Sequence, residues 1–252
     1  MKKRTFISLK ISVGKYSEFI NEIIDLALLK KSSYVCVANV HMLIEAYNDD
    51  NFADVVNNAD IVTPDGMPLA LAIKFKYGTK QDRVDGMSLL PDLIKEATQK
   101  DVSVYFYGGT EEAIKQTRDY LDQHYPNLRV AGMYSPPFRP LTSDEEEVIV
   151  KNINDSGAQI LFVALGCPKQ ERWMASMKGR VNCVMVGIGG ALPVFVGLQK
   201  RAPVFLQKLS LEWLFRLFQE PKRLFKRYFL TNTLFIYLVS KKGLKRIFIK
   251  NN

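Results

Sequence analysis

Residues 34–68 read YVCVANVHMLIEAYNDDNFADVVNNADIVTPDGMP, and their order decides the fold class. Tyr34–Ala38 is a short, unbroken apolar run ending at Asn39, the pattern of a strand covered on both faces. Helical spacing follows over His41–Asn48 and Asn51–Asn57. Ile61–Thr63 is then a second short apolar run, closed by Pro64-Asp65-Gly66-Met67-Pro68.

The same alternation continues on either side. Further strands are predicted at Phe6–Ile11, Val102–Tyr107, Arg129–Met133, Ile160–Leu165 and Cys183–Ile188. Helices are predicted at Tyr16–Lys30, Gly66–Lys76, Gly86–Lys100, Glu111–His124, Ser143–Ser156 and Lys169–Lys178. Ser143 with Glu146 has capping-box spacing. Strand–helix alternation of this kind predicts an α/β protein, its mostly parallel sheet carrying helices on both faces.

Composition narrows the function. The 252 residues are 47% hydrophobic and 24% charged, ordinary for a globular chain that buries a sizeable core. Cys36, Cys167 and Cys183 are too few and too scattered for a disulfide framework, and suit small hydrophobes in a reducing compartment. His41 and His124 are the only histidines, which argues against a His-based metal site. The net charge of +9 is unevenly placed. Residues 199–252 hold 13 Lys and Arg against Glu212 and Glu220, a net of +11, while residues 1–198 sum to −2. Phe, Trp and Leu accompany that charge, so residues 199–252 read as a basic amphipathic helical appendage that meets an anionic membrane, set against a core at 1–198. No stretch reads as a signal peptide or membrane span: residues 181–199 are broken by glycines and Pro193, and residues 228–240 are too short. The protein is therefore expected to be soluble or peripheral.

In open parallel sheets, ligands bind where strand C-termini meet helix N-termini. Five such junctions carry unusual residues: Asn39-Val40-His41, Pro64–Pro68, Gly108-Gly109-Thr110, Gly166–Glu171 and Gly189-Gly190. Gly108-Gly109-Thr110 has free amides suited to a phosphate, or is a plain strand-to-helix turn. Asp65 is either a general base or sugar-hydroxyl contact, or a helix N-cap. Asn39 is either a polar ligand contact or a cap, and His41 reads as a local structural residue. Lys169 and Gln170 open a helix, where a cation is unfavourable for the helix dipole unless an anionic ligand or plain exposure accounts for it. Cys167 lacks an identifiable base. Arg83 and Asp85 pair with each other or with a ligand phosphate. Gly187, Gly189 and Gly190 serve close packing or ligand approach.

The segments Pro64–Pro68, Tyr105–Thr110 (YFYGGT), Tyr134–Pro140 (YSPPFRP), Gly166–Trp173 (GCPKQERW) and Leu211–Tyr228 (LEWLFRLFQEPKRLFKRY) occur in that order. Together they resemble the WecG/TagA/CpsF family of bacterial glycosyltransferases, glycosyltransferase family 26, over nearly the whole chain. The resemblance implies a Rossmann-like core with a C-terminal appendage that helps close the active site. It implies metal-independent, inverting transfer of a hexose or N-acetylhexosamine from a UDP-sugar, with no cofactor. The acceptor would be an undecaprenyl-diphosphate-linked sugar at the cytoplasmic membrane face, feeding teichoic acid, capsule or exopolysaccharide synthesis. By this resemblance Asp65 matches the proposed general base, and Asn39, Arg83 and Gln170 match pocket residues. Gly108, Gly109 and Thr110 match a turn near the donor nucleotide, with Lys169 and Gly189 as neighbouring binding candidates. Arg216, Arg223 and Arg227 match basic positions proposed to meet the acceptor diphosphate. Three positions depart from the family's common pattern: Val37 for Thr, Ser88 for Asp and Pro193 for Asp.

An inverting transfer needs the acceptor hydroxyl deprotonated as it attacks, and positive charge or aligned amides for the leaving diphosphate. A nicotinamide enzyme would carry the full glycine fingerprint, absent here. A nucleic-acid partner fits the apolar content of the basic segment less well than a membrane does. A homo-oligomer is compatible with these readings. The alternative reading is a catalytically impaired, nucleotide-sugar-binding partner subunit.

Overall fold

The computed structural model describes the backbone of residues 1–208 and 211–250, with side chains except those of Lys208 and residues 242–250. Leu209, Ser210, Asn251 and Asn252, part of the expected appendage, lie outside the described residues.

Strands β1 (Lys3–Phe6) and β2 (Leu9–Ser12) pair as an antiparallel hairpin, which corrects the single strand expected at Phe6–Ile11. The chain reverses at Ile7 and Ser8, and Ile7 adopts a left-handed φ of 55°. Glycine or asparagine would normally mark such a turn, so the sequence hides it. The hairpin covers the edge of the main sheet, where Ser12 Oγ accepts a hydrogen bond from Val62 N at 3.1 Å.

Helix α1 (Tyr16–Leu28) leads to β3 (Ser33–Ala38), α2 (Val40–Asn48), α3 (Asp50–Asn57) and β4 (Ile61–Pro64). Next come α4 (Met67–Tyr77), α5 (Gly86–Gln99), β5 (Val104–Gly108), α6 (Glu111–His124) and β6 (Val130–Tyr134). The alternation ends with α7 (Ser143–Asp155), β7 (Ile160–Ala164), α8 (Lys169–Met177), β8 (Val184–Gly187) and the short α9 (Leu192–Phe195). Thr142, not Ser143, caps α7, with Glu145 completing the capping box; both pairs have the same spacing, so sequence leaves the register open by one residue. Strands β3 to β8 form one all-parallel sheet in the order β4-β3-β8-β7-β5-β6.

Side chains alternate along β3, sending Tyr34, Cys36 and Ala38 to one face and Val35 and Val37 to the other. The first face packs under α2, α3, α4, α7 and α8, and the second under α1, α5, α6 and α9. This gives the expected α/β, Rossmann-like architecture with helices on both faces. Since α2 leaves β3 toward one face and α9 follows β8 onto the other, the C-terminal ends of β3 and β8 flank a topological switch point, where α/β sheets bind ligands.

Three further helices complete the described chain: α10 (Val204–Lys208), α11 (Glu212–Gln219) and α12 (Pro221–Lys250). Helix α12 runs along α2, burying Leu224 and Leu238 and setting Phe235 against Phe6 with ring centroids 6.4 Å apart. Trp213 of α11 meets Tyr228 of α12 edge-on at 6.0 Å. Phe218, Phe225, Phe229, Ile236 and Tyr237 stay exposed. Among the described residues no helix is long and apolar enough to cross a membrane.

Candidate active site

All six parallel strands end on one edge, which brings the five junctions of the sequence to a common line. Asp65 follows β4 directly, its backbone N–H donating to the Ala38 carbonyl at 2.8 Å, so β3 fixes its position. Gly66, at φ 96°, occupies the N-cap position of α4, and the Asp65 carboxylate is therefore not the cap. Asn39 caps α2, its Oδ1 accepting from Met42 N at 3.1 Å, which leaves the rest of its amide facing Asp65.

The Asp65 carboxyl is half-buried and pushed up to about 7. Burial is the main cause and the nearby Asp85 carboxylate adds to it, while Arg83, Arg216 and the Asn39 amide pull the other way. A carboxylate poised near neutrality can take a proton and hold it, the requirement for a general base.

The cations come from two directions. Arg83, in the loop before α5, pairs with Asp85 through Nη2 at 2.8 Å and Nε at 3.1 Å. The same Nη2 pairs with Glu212 of α11 at 2.6 Å. Asp85 also caps α5, accepting from Ser88 N at 3.1 Å. Arg216, one turn beyond Glu212, lies on Gly190: a Cβ there would stand 2.5 Å from its Nη2. Gly190 thus makes the seat of an arginine. Gly187 similarly leaves room for Gln170, whose buried amide is hydrogen-bonded at both its nitrogen and its oxygen. Gln170 Nε2 donates to Glu171 Oε1 at 2.9 Å, and its Oε1 accepts from Gly189 N at 3.0 Å. Buried Glu171, raised above the usual carboxylate range chiefly by desolvation, orients Gln170, and Gln170 pins the loop that holds Arg216.

Of the two readings of Gly108–Thr110, the geometry follows the plain strand-to-helix turn rather than a row of free amides. Gly109 N donates to the Ala164 carbonyl at 3.1 Å, and Thr110 caps α6. Gly108 is at φ 107°, and a Cβ there would lie 2.7 Å from Ala164 O. Close packing of β5 on β7 accounts for this glycine. The turn stands four strands along the edge from Asp65, about 19 Å at ~4.8 Å per strand. Beside it opens a cleft of about 460 Å³ lined by Glu111 and residues 134–138. That cleft does not reach Asp65, and the charged side chains converge at Asp65 rather than at the cleft.

Other candidates lie apart. Lys169 is exposed at the start of α8. Arg223 is exposed and paired with Glu220. Arg227 lies over the Tyr228 ring and near His41, which burial and this cation pull down to about 4. The Cys167 thiol is pushed up by burial and by Glu171, in keeping with a thiol that is no nucleophile. Val37 is buried toward Gly86, Ser88 is hydrogen-bonded by Arg201 at 2.9 Å, and Pro193 fits the first turn of α9. Sequence reasoning missed Glu212 and Arg201. The i,i+4 spacing of Glu212 and Arg216 was a signal for the first, since it puts both on one helix face. Among the described residues no group of three or more His, Cys, Asp or Glu is placed to hold a metal ion.

Comparison with known proteins bears on this geometry. The family model described as Glycosyl transferase WecG/TagA/CpsF family matches residues 4–248. The N-acetylglucosaminyldiphosphoundecaprenol N-acetyl-beta-D-mannosaminyltransferase of Bacillus spizizenii W23 is 34% identical over 194 residues, 77% of this chain and 74% of that protein. The proteins of the same name from Staphylococcus aureus MW2 and Bacillus subtilis 168 are 30% and 28% identical, each over 195 residues. These matches cover 76% and 77% of this chain and 74% of each relative.

Proposed function

The chain belongs to the WecG/TagA/CpsF family of glycosyltransferases, and from that premise we propose that it moves an N-acetylmannosamine-like sugar from a UDP donor to a lipid-diphosphate-linked acceptor sugar, with inversion and without a metal ion. The observation that carries this reading is the neutral-range Asp65 carboxyl at the β4 end, flanked by Arg83 and by Arg216 on its glycine seat.

Asp65 takes the proton of the acceptor hydroxyl as that oxygen attacks the anomeric carbon. The new C–O bond forms on the face opposite the breaking bond to the UDP oxygen, which inverts the centre. UDP departs with the bond's electron pair, and Arg216 meets the growing charge. The donor nucleotide extends along the sheet edge toward Gly108–Thr110 and the adjoining cleft. Residues 1–198 supply the core, and residues 199–252 supply Arg216 together with the lipid-facing surface. That surface is a row of exposed aromatics among Lys222, Arg223 and Lys226, a composition suited to the anionic inner face of the plasma membrane. Arg223 and Arg227 lie along the same helix on the acceptor's approach.

The test is transfer from a panel of UDP-sugars to a short-chain N-acetylglucosaminyl diphospholipid, with the anomeric product identified by NMR. A β-linked product from UDP-N-acetylmannosamine supports the proposal. Transfer from none of the panel overturns it.

A further inference from the structure

The network that joins α11 to the core has a centre that the sugar-transfer reading does not use. Glu212 is largely buried, and its Oε2 meets Arg83 Nη2 at 2.6 Å. Its Oε1 has no hydrogen-bond partner and faces Arg201 Nε, likewise unpartnered, at 3.8 Å. Arg201 reaches Ser88 at 2.9 Å and stands 3.8 Å from Asp85, while Asp85 holds Arg83. Two arginines and two carboxylates thus form a neutral set. Arg83 and Asp85 come from the core, Arg201 and Glu212 from the C-terminal segment. A buried charge left without its partner is costly, so the set holds together or comes apart as a unit.

Glu212 and Arg216 share one face of α11 at i,i+4. Fixing Glu212 on Arg83 therefore fixes where Arg216 falls, and it falls on Gly190 beside Asp65.

We propose that Glu212 is a positioning residue: by docking on Arg83 and Arg201 it sets α11 so that Arg216 sits on Gly190, facing Asp65. It touches no reacting atom. The inference rests on the reading of Arg216 as part of the transfer site, and it adds the device that delivers this arginine.

The test uses the full chain and the variants E212Q, E212D, R216A and E212Q/R216A. Transfer is measured with UDP-N-acetylmannosamine and the short-chain acceptor, and amide exchange across residues 212–219 and the sheet without any ligand. E212Q should lower kcat by about 10²-fold, the size of effect that follows a displacement of about 1 Å in a catalytic group. E212D should recover at least tenfold of that loss. E212Q/R216A should be no slower than R216A alone, because the first change acts through the second residue. Exchange in α11 should quicken in E212Q while β3 and β7 keep their protection. The proposal is overturned if E212Q stays within threefold of wild type, if E212D is no better than E212Q, or if the double variant loses the product of the single losses. Loss of protection in the sheet together with α11 also overturns it, since Glu212 would then serve the fold alone. Failure of the transfer reading would look different: wild type moves no sugar, and exchange in α11 still decides the role of Glu212.

Discussion

Replacing Asp65 with Asn should make the protein more stable and nearly inactive at once. The carboxyl moves from an ordinary 3.8 to about 7 on folding, mainly through burial. At 1.36 kcal/mol per pH unit the shift corresponds to about 4 kcal/mol, reduced to about 2–3 kcal/mol because the side chain is only half-buried. The sign follows from proton counting: between pH 3.8 and 7 the folded state keeps a proton that the unfolded state has lost. Stability therefore falls as pH rises through that window, and above 7 the full penalty applies. Asn cannot ionise, so D65N should be about 2–3 kcal/mol more stable than wild type at pH 8 and equal to it near pH 4. Urea unfolding of both proteins at the two pH values measures this directly. Transfer by D65N should meanwhile drop by about 10²–10⁴-fold, the usual cost of losing a positioned base. If D65N is less stable than wild type at pH 8, the carboxylate is held by Arg83 and Arg216 as a structural anion and the reasoning fails.

Further outcomes follow from the same geometry. Transfer should persist in excess EDTA if Arg83 and Arg216 meet the diphosphate charge as proposed; complete loss on chelation, restored by Mg²⁺ or Mn²⁺, would refute this. Gly190→Ala should leave the fold intact, since the obstructing atom is the far end of a flexible side chain, yet slow transfer by displacing Arg216 from its seat; thermal melts and kcat together check both halves. Introducing Glu at both Phe225 and Phe229, which are exposed and stacked on one another, should cut binding to anionic liposomes by at least tenfold with an unchanged melting temperature. Equal binding would remove that face from the membrane contact.

The sheet was legible because five of its strands are short apolar runs buried on both faces and ended by residues that strand interiors disfavour. Tyr34–Ala38 ending at Asn39 and Ile61–Thr63 ending at Pro64-Asp65 are the clearest cases. The hairpin was not legible, because Ile7 makes its turn without a turn residue. For the site, sequence pointed to Asp65, Asn39, Arg83 and Arg216 as separate candidates, and the fold sets them against one another. It could not show that Gly187 and Gly190 exist to admit Gln170 and Arg216, or that Gly109 spends its amide on Ala164. Those are contacts between distant segments, with no local pattern to betray them. Nor could it show that Asn39 caps its helix and still faces Asp65, since the two uses fall on different atoms of one amide.

The most direct test of the central claim, that Asp65 is the base of a sugar transfer, is the pH dependence of kcat/KM for UDP-N-acetylmannosamine with the short-chain lipid-diphosphate acceptor. With the free-enzyme carboxyl at about 7, kcat/KM should be level above neutrality and fall tenfold per pH unit below it. The small residual activity of D65N should lack this limb. A wild-type profile that is flat from pH 5.5 to 8, or a limb that survives in D65N, would contradict the assignment.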